Sequence, residues 1–126
     1  MEDRKYLQLN DIDAYRVAFR LSNLVWEEVT RWDYFAKDTV GKQFVRAIDS
    51  ESANIAEGFG RYGKKDKIKF YRYANGSLKE CLDWNEKAKI RKLVSHSIYK
   101  NIFTELQQLP LLINQLIKYT NLTLKI

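Results

Sequence analysis

Apolar side chains recur every three or four residues through four stretches of this chain of 126 residues. Because an α-helix turns about 100° per residue, that spacing places them on one face and leaves the opposite face polar. The pattern predicts helices at about residues 11–32, 39–58, 66–92 and 96–119, joined by short polar breaks. One proline and five glycines are too few for the turns of a many-stranded sandwich or barrel. The chain is therefore predicted to be all-α.

Helices joined by short connections pack against one another as antiparallel neighbours. We therefore expect a single domain spanning 1–126, folded as an antiparallel up-and-down four-helix bundle. Asp11 is the expected cap of the first helix, Asp38 or Thr39 of the second, and Asp66 of the third. The tail 120–126 is expected to fray or to be used between chains.

Two residues inside the predicted helices have expected structural roles. Pro110 removes a backbone hydrogen bond, so it should kink the fourth helix. Cys81 falls on the apolar face of the third helix, and we interpret it as a small core residue, not a nucleophile.

The residues that most bundle enzymes depend on are scarce. With one histidine, His96, the chain cannot build the paired Glu-x-x-His metal sites of bundle enzymes. A single cysteine excludes an intrachain disulfide. We therefore expect no metal, no cofactor and no enzymatic activity. No apolar run approaches the roughly 20 residues that span a bilayer, and residues 1–10 lack the pattern of a signal peptide. A cytoplasmic protein without membrane contact is expected.

Charge is unevenly distributed along the chain. Residues 1–60 carry 8 basic and 11 acidic side chains, a net charge of −3, whereas 61–126 carry 14 and 5, a net charge of +9. The excess is concentrated in the basic segment, residues 61–72, which has six cations against one carboxylate, that of Asp66. Cations beside aromatic rings suit phosphates and unstacked bases. The predicted nucleic-acid-binding residues are Arg61, Lys64, Lys65, Lys67, Lys69 and Arg72, with Tyr62 and Tyr71 available for stacking. A solvated helix start that serves solubility, or a site for acidic proteins, would also explain the segment.

A polar stripe runs along the predicted second helix. Its members fall within an arc of roughly 80° on a helical wheel: Gln43, Arg46, Ser50, Asn54 and Glu57. The stripe is either solvated surface or a contact between copies of the chain. Flanking alanines would allow another helix to approach closely, and an Arg46–carboxylate pair could set its register.

Two stretches, QFVRAIDSESANIAEGFGRY from Gln43 and FYRYANGSLKECLDW from Phe70, resemble a known family. It consists of small four-helix bundle proteins encoded by intervening sequences in bacterial large-subunit ribosomal RNA genes, also labelled S23 ribosomal-protein-like. The matching residues are Gln43, Arg46, Ala47, Ser50, Asn54–Gly58, Gly60, Arg61, Phe70, Ala74, Gly76, Ser77, Leu78 and Glu80. Glu51 departs from the pattern, because an apolar residue usually follows the serine.

The resemblance implies a homopentamer, and it favours the stripe, with Gly58, Gly76 and Ser77, as the contact between subunits. Related accessory proteins of diversity-generating retroelements look similar and bind nucleic acid. The leading hypothesis is a non-enzymatic oligomer that binds nucleic acid, RNA in preference, through its basic surface. The alternative is an oligomeric protein–protein adaptor with no nucleic-acid role.

Overall fold

A computed structural model describes residues 7–126, and the structural statements below refer to that range. Within it four long helices form: α1 (Asp13–Val29), α2 (Lys42–Gly60), α3 (Lys64–Ile90) and α4 (His96–Thr123). A turn of 3₁₀-helix, Leu9–Asp11, precedes α1. A short helical segment, Tyr34–Ala36, and a π-helical turn, Lys37–Gly41, lead into α2.

The four helices pack in a closed cycle. α2 contacts α1 and α3, and α4 contacts α3 and α1. Residues 61–63 and 91–95 are short connections, and the longer segment 30–41 joins α1 to α2. The chain reverses at each of them, so neighbouring helices run antiparallel. This is the predicted all-α, up-and-down four-helix bundle.

The core is filled by large apolar side chains from all four helices. Residues below 2% exposure or close to it include Leu21, Phe44, Ile48, Ile55, Tyr71, Ile102, Leu106, Leu109 and Ile113. Cys81 is fully buried among them, which confirms its predicted place in the core. Burial raises the pKa of the Cys81 thiol, and the nearby carboxylates of Glu51 and Glu80 raise it further, so the reactive thiolate is disfavoured.

The predicted start of the second helix is wrong. Asp33, not Asp38 or Thr39, caps the helical path, because its Oδ1 accepts a hydrogen bond from the Ala36 backbone N–H at 3.0 Å. The helical backbone then continues through the π-turn into α2. Trp32 and Ala36 are buried, and their packing against the bundle stabilises the helical conformation at this earlier position.

The other two predicted caps are also misplaced. Ile12 is the residue before α1, while Asp11 closes the preceding 3₁₀ turn by accepting from the Gln8 backbone N–H at 2.8 Å. α3 begins at Lys64, after Gly63, so Asp66 lies within the first turn instead of before it. A carboxylate there still favours the positive helix end.

The C-terminal tail is more ordered than expected. α4 extends to Thr123 because Thr120 is buried and its hydroxyl donates to the Leu116 carbonyl at 2.9 Å. The Lys64 N–H donates to the Ile126 carbonyl, so the end of the chain lies against the start of α3. The helical part of the tail is therefore not frayed, although most side chains of 121–126 are exposed, and use of the tail between chains stays a prediction. Pro110 lies inside α4, which remains helical on both sides of it, and the kink stays a prediction.

Candidate nucleic-acid interface

The first turns of α3 form one wall of a cavity of about 600 Å³, here called the outer cavity. The last turn of α4 and the chain end complete it. It is lined by Lys64, Lys65, Ile68, Lys69, Arg72, Tyr73, Asn121 and Ile126. The α3 members recur every three or four residues, so helical phase places four cations around an apolar and aromatic surface.

Most of these cations have no acidic partner. Lys64, Lys65 and Arg72 make no ion pair with any residue in 7–126, and Lys69 has only a long contact of 3.9 Å with Asp66. The N-terminus of α3 adds the positive end of a helix dipole at the same place. The outer cavity therefore concentrates four cations, three of which have no ion-pair partner in 7–126.

The basic face continues along α3 beyond the predicted segment. Lys79 is exposed, lies one heptad after Arg72, and likewise lacks an ion pair in the described range. Residues seven apart lie on nearly the same line of a helix. Lys65, Arg72 and Lys79 thus form a row of cations about 20 Å long, given a rise of 1.5 Å per residue.

Two predicted nucleic-acid contacts lie elsewhere. Arg61 pairs with Glu57 at 2.7 Å and lies over the Phe70 ring, 4.6 Å from its centroid. Lys67 is half-buried, and its Nζ donates to the Phe59 carbonyl at 2.7 Å. Burial lowers the pKa of Lys67. Neither side chain lines the outer cavity, although both belong to the basic segment.

The three tyrosines of this region differ sharply in exposure. Tyr71 is 2% exposed, so the prediction that it stacks on bases is wrong: its position on α3 faces the core. Tyr62 is 83% exposed but does not line the outer cavity. Tyr73, which sequence reasoning missed, is 52% exposed and does line it. A helical wheel of α3 would have found it, because Tyr73 lies four residues after Lys69.

The polar stripe of α2 lies beside α3. Arg46 and Glu57 are exposed, whereas Gln43, Ser50 and Asn54 are half-buried. The Ser50 hydroxyl lies 3.1 Å from the Ser77 hydroxyl, and the Asn54 amide donates to the Ser50 carbonyl at 2.9 Å. Ser50 and Asn54 thus make hydrogen bonds within the chain. Arg46 and Glu57 form the exposed edge of the stripe, and the contact between subunits expected there stays a prediction.

Glu51, the departure from the family pattern, is a fully buried carboxyl group. The Ser77 hydroxyl donates to its Oε2, and its Oε1 has no hydrogen-bond partner in the described chain. Burial raises the pKa of Glu51 to about 8, partly offset by the hydrogen bond from Ser77. Glu51 is therefore mostly protonated at neutral pH, and it links α2 to α3 through Ser77.

The two glycines predicted for the subunit contact have different surroundings. A Cβ on Gly58 would lie 2.6 Å from Cε1 of Tyr71 and 2.9 Å from the Lys67 carbonyl oxygen. Gly58 therefore allows α2 and α3 to approach closely. A Cβ on Gly76 would meet nothing within 4 Å, so packing within the described chain does not require glycine there.

Two further features, a metal site and a membrane-spanning helix, are absent from the described residues. Across 7–126, no group of three or more His, Cys, Asp or Glu side chains could hold a metal ion. None of the helices in that part of the chain is long and apolar enough to cross a membrane.

The fold and site define a small four-helix bundle with a cationic face on α3. The profile of the 23S rRNA-intervening sequence protein family matches residues 10–115, so the chain belongs to that family. This confirms the resemblance seen in the sequence.

A solved structure supports the fold. A crystal structure of a protein of unknown function from the S23 ribosomal protein family of Bacteroides thetaiotaomicron VPI-5482 is similar, with a TM-score of 0.69 and 22% identity. The similarity covers 86% of this chain and 97% of that one. No curated protein matches the chain.

Proposed function

We propose that this protein is a non-enzymatic, cytoplasmic nucleic-acid-binding protein, with RNA as its preferred ligand. The observation that carries the proposal is the outer cavity, where Lys64, Lys65 and Arg72 lack ion-pair partners within the described chain. Surface cations without local partners are free to exchange their counterions for phosphates.

The shape and lining of the outer cavity suit a nucleotide unit with an unstacked base. A volume of about 600 Å³ lies within the range of small-ligand sites. Ile68 and the half-exposed ring of Tyr73 offer an apolar surface for a base, and the lysines surround it. Base stacking on an aromatic ring contributes roughly 1–3 kcal/mol without reading sequence. We therefore propose that single-stranded or looped RNA binds more tightly than duplex RNA.

Fluorescence anisotropy with a short single-stranded RNA tests this proposal. The variant Lys64→Glu with Lys65→Glu reverses two charges at the outer cavity and should weaken binding at least about tenfold at low salt. The control, Lys100→Glu with Lys118→Glu, makes the same charge change at exposed positions of α4 that line no described cavity. Equal losses in both variants, or an affinity that does not fall as salt rises, would overturn the proposal.

We also propose that the protein assembles with copies of itself, the pentamer being the expected form. The open edge of the α2 stripe supports this, since Arg46 is exposed and has no ion pair in 7–126. Gly76, with open space around it, would let a neighbouring subunit approach α3. Mass measurement in solution should give an oligomer, and Arg46→Ala should weaken it. A monomeric mass for the unmodified chain would contradict the assembly.

A second candidate function, an oligomeric adaptor for a protein partner, is favoured by one further observation. α1 exposes two aromatic side chains seven residues apart, Phe19 and Trp26, and Phe19 stacks with Tyr15. Aromatic side chains are common at protein interfaces. Partner binding that resists nuclease and high salt, yet is lost in Trp26→Ala, would support the adaptor. Loss of the partner on nuclease treatment would support RNA binding instead.

A further inference from the structure

A second cavity, here called the inner cavity, lies at the same end of the bundle on the core side of α3. It has a volume of about 500 Å³. Each of the four helices, or a residue next to it, provides part of the cavity wall. The lining residues are Leu7, Ile12, Phe59, Lys67, Tyr71, Leu116, Tyr119, Thr120, Thr123 and Leu124. Half of them are purely hydrocarbon or aromatic hydrocarbon side chains, so most of a ligand there would meet apolar walls.

Tyr71 lines the inner cavity, and its hydroxyl makes no hydrogen bond with any residue in 7–126. The side chain as a whole is 2% exposed, and its ring is held in place because Gly58 leaves room for it against α2. The hydroxyl is thus a positioned donor in the wall of the cavity, without a partner among the described residues.

A cation lies beside that hydroxyl on the same face of α3, one turn earlier. Lys67 uses one of its three ammonium N–H groups on the Phe59 carbonyl at 2.7 Å. Lys67 forms no ion pair with a described residue, and none of the carboxylate side chains in 7–126 lines the inner cavity. Two ammonium donors therefore remain for a ligand.

The two threonines of the cavity do not compete for this role. The Thr120 and Thr123 hydroxyls donate to the carbonyls of Leu116 and Tyr119, at 2.9 and 2.8 Å. The polar end of the inner cavity thus offers one positive charge and unused donors. A ligand head that fits must be a hydrogen-bond acceptor and is best negatively charged.

We propose that the inner cavity binds a small amphipathic monocarboxylate, such as a medium-chain fatty acid. Its carboxylate accepts hydrogen bonds from Lys67 and Tyr71, and its hydrocarbon chain packs against Ile12, Phe59 and Leu116. This site is separate from the proposed RNA site, because the two cavities share no described lining residue.

Isothermal titration calorimetry of the full chain with decanoate, below its micelle concentration, tests the proposal. Saturable binding of one decanoate per chain is expected. Tyr71→Phe, which keeps the ring, and Lys67→Met, which keeps most of the stem, should each weaken binding about tenfold. Decanol and decyltrimethylammonium, with the same chain but no acceptor anion, should bind at least about tenfold more weakly.

Lys100→Glu with Lys118→Glu, at exposed positions of α4 that line no described cavity, is the control for a general change in charge and should bind decanoate as the unmodified chain does. Circular dichroism establishes that each variant is folded, and if Lys67→Met does not fold, the Tyr71→Phe result and the comparison of decanoate with decanol decide. Absence of decanoate binding, equal binding of decanol, or unchanged binding in Tyr71→Phe would each overturn the site.

Discussion

The two sides of the first turns of α3 use the same residue types in opposite ways. On the outer side, Lys64, Lys65 and Arg72 border a cavity open to anions. On the inner side, Lys67 and Tyr71 are drawn toward the core, where Lys67 bonds to a backbone carbonyl. These residues are interleaved in sequence, yet the two cavities share no described lining residue. Proximity along a basic segment is therefore a poor guide to shared function.

The same contrast extends along the α2–α3 contact. Gly58 and Ser77, which belong to the pattern read in the sequence, face into the contact between the two helices. Gly76, next to Ser77, faces open space.

The largest expected effect comes from Glu51. Its pKa of about 8 lies above the unfolded value of 4.5, so the folded state holds a proton that the unfolded state releases. The stability due to this group is fully present below about pH 4.5 and is lost as pH rises to about 8. The loss is on the order of 5 kcal/mol over that window.

Glu51→Gln should remove most of that pH dependence while keeping the shape of the side chain. Asp49→Asn, on the exposed side of α2, is the control and should leave it in place. Urea unfolding at several pH values between 5 and 9 provides the measurement. A Glu51→Gln protein with an unchanged slope against pH would show that other groups cause it.

The tyrosine pair gives the next largest contrast. Tyr71→Ala should lower the free energy of unfolding by roughly 3–5 kcal/mol, because it empties a large buried volume. Tyr73→Ala should lower it by less than about 1 kcal/mol but weaken RNA binding about tenfold, through lost stacking. Urea unfolding and anisotropy on both variants test this. Comparable stability losses would mean that the two rings are similarly buried.

Gly58 and Gly76 differ in their surroundings, so the same substitution should change stability in opposite directions at the two positions. Gly58→Ala should destabilise the fold by roughly 1–3 kcal/mol, since the new methyl group collides with Tyr71 and with the Lys67 carbonyl. Gly76→Ala should stabilise an isolated chain by up to about 1 kcal/mol, because alanine favours helix. Thermal unfolding compares them. A stable Gly58→Ala protein would be inconsistent with the close approach of α2 and α3.

The smallest expected effect is a difference in salt dependence between Lys65, which has no ion-pair partner in 7–126, and Arg61, which has one. Lys65→Gln should reduce the slope of log affinity against log salt by about 0.7 for single-stranded RNA, one phosphate contact. Arg61→Gln should reduce it less, because Arg61 already pairs with Glu57 and lies on Phe70. Anisotropy titrations at several salt concentrations give both slopes. A larger change for Arg61→Gln would place the RNA on the α2 side of α3.

Sequence reasoning predicted the elements better than their ends. The four helices and the burial of Cys81 follow from periodicity, which reports how side chains divide between core and solvent. The predicted helix caps were misplaced: Asp11, Asp38 or Thr39, and Asp66. Each connection contains several polar residues that could cap a helix, and the position of the helix end depends on tertiary packing.

The candidate site was predicted only in part. Lys64, Lys65, Lys69 and Arg72 line the outer cavity as a group, whereas Arg61 and Tyr62 lie outside it and Lys67 and Tyr71 line the inner cavity. Tyr73 was not predicted, because the basic segment was defined by its density of charged residues and therefore ended at Arg72. Asn121 and Ile126 could not be predicted, because they reach the site only through the packing of α4 on α3.

By itself, the sequence determined the fold class, the family and the concentration of charge after residue 60. These properties are local or additive: they depend on spacing, motif and count. The tertiary structure alone decided which cations are free, which tyrosine is exposed, and that Glu51 is buried against Ser77. Those properties depend on what neighbouring helices place around each side chain, since burial and unpaired donors arise only when distant segments pack together.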